Sequence, residues 1–163
     1  MNVFGVVGYK NTGKTGLMER LVANITARGF SVSTIKHAHH NFDVDHEGKD
    51  SYRHRTAGAS QVLLSSGTRW ALMSELRSAK EPPLESLLAQ LDPVNLILIE
   101  GYKSNSHPKI ETYRQVIKGT LLASNDHTII GVAADCEVSV SQPVFNLDDT
   151  TKIANFILTQ VGL

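Results

Sequence analysis

The sequence predicts an α/β fold in which helices cover a mostly parallel sheet that also carries an antiparallel β-hairpin. Three observations point to it. The apolar run Val3 to Val7 meets Gly8-Tyr9-Lys10-Asn11-Thr12-Gly13-Lys14-Thr15, which matches G-x-x-x-x-G-K-[ST] at every fixed position. A helical stripe follows at once, and further apolar runs at 31–36, 94–99 and 128–133 alternate with helical stretches, as in a parallel sheet. The runs 61–65 and 69–73 flank Ser66-Gly67-Thr68, a hairpin turn. Together they define a three-layer fold of the P-loop NTPase type. A chance match to the loop motif is roughly a one-in-a-few-hundred event for a chain of this length.

Taken in order, Leu17, Met18, Leu21, Val22 and Ile25 give the first helix its apolar face, and Arg28-Gly29 stops it with a cation and a residue suited to the left-handed conformation. Residues 31–36 read as the second strand. Residues 37–50 are polar and unperiodic, and Asp50-Ser51 caps a short helix through Ala57 that Gly58 ends. The hairpin comes next and is expected to put antiparallel strands on the otherwise parallel sheet, where an exposed edge suits pairing with a second copy. Pro82-Pro83 starts a helix whose Leu84, Leu87, Leu88 and Leu91 are expected in the core, and Asp92-Pro93 ends it. Val94 to Ile99 is the most apolar strand and runs into Glu100-Gly101. Short strands are expected at 110–113 and 128–133, and a last helix capped by Asp148 or Asp149 carries Ile153, Phe156, Ile157 and Val161.

Length and composition predict one domain over 1–163. Lys plus Arg and Asp plus Glu number 16 each, so no bulk field favours nucleic acid or an anionic membrane. The single cysteine, Cys136, permits no intrachain disulfide and reads as a small buried hydrophobe. No run approaches the roughly 18 apolar residues of a membrane span, and the first apolar run ends in the loop rather than at a cleavage site. A cytoplasmic protein without nucleic-acid or membrane partners is expected.

The loop's residue types have mechanical reasons. Glycines let backbone N–H groups and a helix N-terminus wrap a phosphate. Lys14 is expected to reach the β- and γ-phosphates, and the Thr15 hydroxyl to ligate Mg²⁺. The bland alternative is a glycine-rich turn that binds nothing. Glu100, a carboxylate closing an apolar strand, is either a Mg²⁺-water ligand or water-orienting group, or a solvated strand end. Asp45 and Asp50 are candidates for a second carboxylate near Mg²⁺. Lys49, Arg53 and Arg55 could meet an acidic substrate or the γ-phosphate, and Lys10 is a further phosphate candidate. Five of the seven histidines, His37, His39, His40, His46 and His54, lie between 37 and 54. They read as loop histidines, contacts to a phosphorylated ligand, or a transition-metal site. Base identity has no N-K-x-D motif to carry it. Asp135, after the last core strand, is either the acceptor of guanine N1 and N2 hydrogens or a plain strand cap.

Several stretches together resemble the molybdopterin-guanine dinucleotide biosynthesis protein B family: GYKNTGKT at 8–15, TIKHAHH at 34–40, DHEGKDSYRHRTAGA at 45–59, LIEGYK at 98–103 and KIETYR at 109–114. The block at 45–59 is far more diagnostic than the phosphate loop. The resemblance implies a GTP-binding adaptor with slow GTP hydrolysis and Mg²⁺ that assists attachment of GMP to molybdopterin in molybdenum cofactor biosynthesis. It further implies a homodimer, partnership with the molybdopterin guanylyltransferase, and molybdopterin or the molybdenum cofactor as a further ligand to test. It puts phosphate binding on Gly8 to Thr15, with Lys10, Asn11, Thr12 and Gly13 inside that span, a metal-facing role on Glu100, and cofactor- or phosphate-facing roles on His37, Asp45, Lys49, Asp50 and Arg53. Gly16 belongs to the same binding stretch but departs from the family pattern, which has a second hydroxyl residue after Thr15. The other classes left open are a small-molecule kinase using Arg53 or Arg55 as an anion clamp, and a metallochaperone GTPase using the histidine loop.

Overall fold

The computed structural model describes residues 1–38 and 42–163. In chain order its elements are β1 (Asn2–Val7), α1 (Lys14–Ala27), β2 (Val32–Lys36), α2 (Asp50–Thr56), β3 (Gln61–Ser65), β4 (Trp70–Ser74), α3 (Leu84–Leu88), β5 (Leu96–Glu100), β6 (Lys109–Tyr113), β7 (Ile129–Ala134), β8 (Val144–Asn146) and α4 (Thr150–Val161). Short 3₁₀ turns lie at Gln115–Ile117 and Leu122–Ser124. The chain divides into two compact units, residues 1–37 with 91–163 and residues 38–90, each with its own sheet.

In the first unit the strand order is β2-β5-β1-β6-β7-β8, and every neighbouring pair is parallel. β1 is central because it is apolar on both faces, and β5 beside it is buried at all five positions. Alternation sends Phe4 and Val6 to the face that receives Leu17, Leu21 and Ile25 of α1 and Ile153 and Ile157 of α4, all fully buried. Truncating one of these leucines or isoleucines to alanine is expected to cost about 2–5 kcal/mol. The opposite face has thinner cover. There the 3₁₀ turn at Leu122–Ser124 packs Ala123 with Val7, Ile129, Val132 and Ala134, and the imidazole of His107 lies against Gly5.

The second unit is built around Arg55 of α2. Its Nη2 lies 2.7 Å from Asp45 Oδ1 and 2.9 Å from Asp43 Oδ1, with Glu75 Oε1 3.7 Å from Nη1. The hydrogen bond from Arg55 holds the Asp45 carboxyl below the usual aspartate range, with burial opposing it.

Several expectations change. The hairpin forms a separate two-stranded sheet, β3 with β4, instead of extending the parallel one. Its register pairs Val62 with Met73 and Leu63 with Leu72. The leucine helix shrinks to five residues, and only Leu84 is buried while Leu87, Leu88 and Leu91 are half-exposed. The helix ends at Leu88, ahead of Asp92-Pro93, so the expected apolar stripe never completes. β8 was not expected, because a three-residue edge strand is too short to show alternation. Cys136 is free and half-buried.

Candidate functional site

The phosphate loop joins β1 to α1 in a conformation that few side chains permit. Gly8 has φ of 149°, and a Cβ there would lie 2.5 Å from the carbonyl oxygen of Thr112. Gly13 has φ of 93° and is the N-cap of α1. Thr12 is fully buried and anchors the loop: its hydroxyl donates to Tyr9 O at 2.9 Å and lies 2.7 Å from the Thr112 hydroxyl. Lys10 and Asn11, by contrast, are exposed on the loop's outer side.

The start of α1 is prepared for an anion. It has no side-chain cap and no acidic residue in its first turn, so its first N–H groups and the positive end of a 14-residue helix remain available. α4 differs, because the Asp149 carboxylate accepts from Lys152 N at 3.1 Å. Gly16 sits in the first turn of α1, and a Cβ there would meet nothing closer than Arg20 Nη1 at 3.5 Å. The site therefore has no steric need for glycine at 16.

Lys14 Nζ donates to Tyr9 O at 2.7 Å and Gly8 O at 3.2 Å, lying across the loop. Burial lowers its pKa; Glu100 opposes that shift, and Lys103 and Lys36 add to it. Thr15 Oγ1 donates to the Glu100 carboxylate at 3.2 and 3.4 Å. Glu100, the last residue of β5, is 9% exposed, and Lys36 Nζ at the end of β2 lies 3.6 Å from its Oε1. A hydroxyl and a buried carboxylate beside a phosphate loop form a hard-oxygen donor set that fits Mg²⁺. A groove of about 490 Å³ runs from these groups between α1 and β2, walled by Met18, Val22 and Ile35.

Parallel pairing of β1, β5 and β2 brings Lys14, Thr15, Glu100, Lys36 and His37 to one end of the sheet. His37 N donates to Glu100 O at 2.9 Å, and its ring stacks on Tyr102 with centroids 4.4 Å apart. Asp135 is at the same strand-end level but exposed, and its Oδ1 accepts from Gln115 N at 2.9 Å, so it caps the 3₁₀ turn at 115–117.

The remaining expected residues belong to the second unit. Lys49 is the exposed N-cap of α2, Asp50 its first residue, and Arg53 Nη1 lies 4.0 Å from Asp50 Oδ1. Asp45 is buried with Oδ1 occupied by Arg55, and Arg55 itself is held by three carboxylates. An anion-clamp role for Arg55 would require breaking those pairs. His39 and His40 lie outside the described residues, and among the described residues no three His, Cys, Asp or Glu side chains are grouped as a metal site.

Sequence reasoning missed the buried Thr112, which links the loop to β6, and Arg114, whose guanidinium would stand 3.3 Å from a Cβ on Gly13. Both fall within the KIETYR stretch at 109–114, so a trace of them was visible.

Fold and site define a phosphate-loop α/β protein. Residues 3–135 match the family model described as molybdopterin guanine dinucleotide synthesis protein B. The chain is 39% identical over 157 residues to the molybdopterin-guanine dinucleotide biosynthesis adapter protein of Haemophilus influenzae, covering 95% of this chain and 86% of that one. It is 36% identical over 154 residues to the protein of the same name from Escherichia coli, covering 92% and 87%. It also matches the crystal structure of a MobB protein homolog from Bacillus stearothermophilus, with TM-score 0.73 and 31% identity over 99% of both chains. The chain belongs to the molybdopterin guanine dinucleotide synthesis protein B family.

Proposed function

We propose that this chain is a GTP-binding adapter of molybdopterin-guanine dinucleotide biosynthesis, acting as one nucleotide-binding domain in the cytoplasm. The adapter role follows from family membership. The observation that supports nucleotide binding is the convergence of Lys14, Thr15 and Glu100, with Thr15 Oγ1 3.2 Å from the carboxylate, at the uncapped start of α1. Mg²⁺ would be held by Thr15 and, directly or through water, by Glu100, and it would neutralise charge on the β- and γ-phosphates. Glu100 and Lys14 would then support the slow hydrolysis of GTP.

The chain works as a homodimer and hands its nucleotide function to the molybdopterin guanylyltransferase that attaches GMP to molybdopterin. Support for self-association comes from the hairpin. Leu63, Leu72 and Trp70 share one face of β3–β4 by register and are 62, 43 and 65% exposed. Each of the two strands also has an unpaired edge. Asp45, Lys49, Asp50 and Arg53 remain proposed cofactor- or phosphate-facing groups on the strength of the family pattern, and Asp135 remains the proposed guanine acceptor.

The test is a titration of purified protein with GTP and with ATP, each with Mg²⁺ at equal ionic strength. A clear GTP preference is expected. Equal binding, or a preference for ATP, would remove the guanine assignment.

A further inference from the structure

We propose that Lys103 is a further cation of the phosphate site, one that binds the terminal phosphate of a nucleoside triphosphate and so separates triphosphate from diphosphate. Gly101 N donates to Val6 O at 3.1 Å, pinning the chain that leaves β5 against β1 just ahead of the phosphate loop. Gly101 and Tyr102 then turn with φ of 100° and 50°, and the stack of Tyr102 on His37 holds the second of these unusual conformations. The turn delivers Lys103 Nζ to 5.1 Å from the centroid of the Tyr9 ring. Tyr9 is itself a loop residue, and its carbonyl holds Lys14 Nζ.

Lys14 and Lys103 thus both meet Tyr9, one at its carbonyl and the other over its ring, while Lys36 Nζ lies 3.6 Å from Glu100 Oε1. Burial lowers the Lys14 pKa most, Glu100 opposes it, and the charges of Lys103 and Lys36 add to the lowering. Like charges are brought together at a cost that a bound polyanion offsets. Lys103 forms no ion pair with a carboxylate among the described residues. Its charge acts on the buried Glu111 carboxylate, but its direct contact is the aromatic face of Tyr9, and such a cation–π contact is weak beside a charge-assisted bond to phosphate. The loop N–H groups and α1 serve the inner phosphates. Lys103 follows Glu100 by three positions and lies over a residue of the loop itself, from which its ammonium would meet the terminal phosphate.

The inference rests on the nucleotide reading above. The test measures, by calorimetry with Mg²⁺, the affinities of a non-hydrolysable GTP analogue and of GDP for the wild type, Lys103→Gln and Lys103→Arg, with thermal midpoints recorded for each. Lys103→Gln is expected to weaken the triphosphate analogue by about tenfold or more and GDP by no more than about twofold, with Lys103→Arg retaining most of the discrimination. A brace that only steadies the Tyr9 ring would weaken both nucleotides together. Equal losses, or no loss, in Lys103→Gln overturn the proposal alone. A wild type that binds neither nucleotide overturns the nucleotide reading and the proposal with it.

Discussion

The hydroxyls of Thr12 and Thr112 lie 2.7 Å apart and fully buried, tying the phosphate loop to β6 across 100 positions of sequence. Because Thr12 donates to Tyr9 O, Thr112 is left to donate toward Thr12 or toward Val7 O at 3.2 Å. Thr112→Val keeps the shape and removes the donor. It is expected to lower stability by about 1–3 kcal/mol, since Thr12 loses a buried partner. Urea unfolding midpoints for the wild type, Thr112→Val, Thr12→Val and the double variant check this; a double variant no better than the sum of the singles would count against direct coupling.

Gly8 is the tightest point of the loop. Gly8→Ala sets a Cβ 2.5 Å from Thr112 O and 2.7 Å from both threonine hydroxyls, at a φ of 149°. The strain is expected to be about 1–3 kcal/mol and to displace the Thr12 anchor. Thermal unfolding should fall together with nucleotide affinity, whereas Gly16→Ala, where a Cβ has space, should leave the midpoint nearly unchanged.

Lys14 and Glu100 separate binding from metal support. Lys14→Ala is expected to abolish nucleotide binding while changing stability by no more than about 1 kcal/mol, because two loop carbonyls lose one mobile donor. Glu100→Gln retains the shape beside Thr15 but loses the charge that would face the proposed Mg²⁺. Its expected signature is a higher Mg²⁺ concentration for half-maximal GTP binding, read by titrating the metal at fixed nucleotide. An unchanged metal requirement would remove Glu100 from the metal site.

His107 gives stability a pH dependence. Both ring nitrogens are buried without hydrogen-bond partners among the described residues, and burial, helped by the charge of Lys109 and opposed by Asp126, lowers its pKa from 6.5 to about 4. The unfolded chain therefore takes up a proton that the folded chain refuses. This contribution is fully present above pH 6.5, declines as the pH falls, and is exhausted below about 4. Urea midpoints across that window should fall for the wild type, and His107→Leu should flatten the part of the slope that this imidazole supplies.

Much of the first unit was legible in the sequence because its determinants are local. The motif Gly8 to Thr15 dictates a tight glycine-rich turn into a helix, the stripe Leu17 to Ile25 dictates a helix face, and the run before Glu100 dictates a buried strand. The second unit was less legible. Its hairpin strands were found nearly to the residue, yet their separation into an independent sheet depends on strand pairing, which no local pattern encodes.

The sequence by itself determined the phosphate loop, the order of the elements and the family, because each is written in contiguous residues. Only the tertiary structure decided that Glu100 meets Thr15, that Thr112 buttresses Thr12, that Arg55 is held by three carboxylates and that Lys103 lies on Tyr9. Those relationships arise from the register of parallel strands and from turns between distant segments. Their energy comes from groups that become neighbours only after the chain has closed its loops.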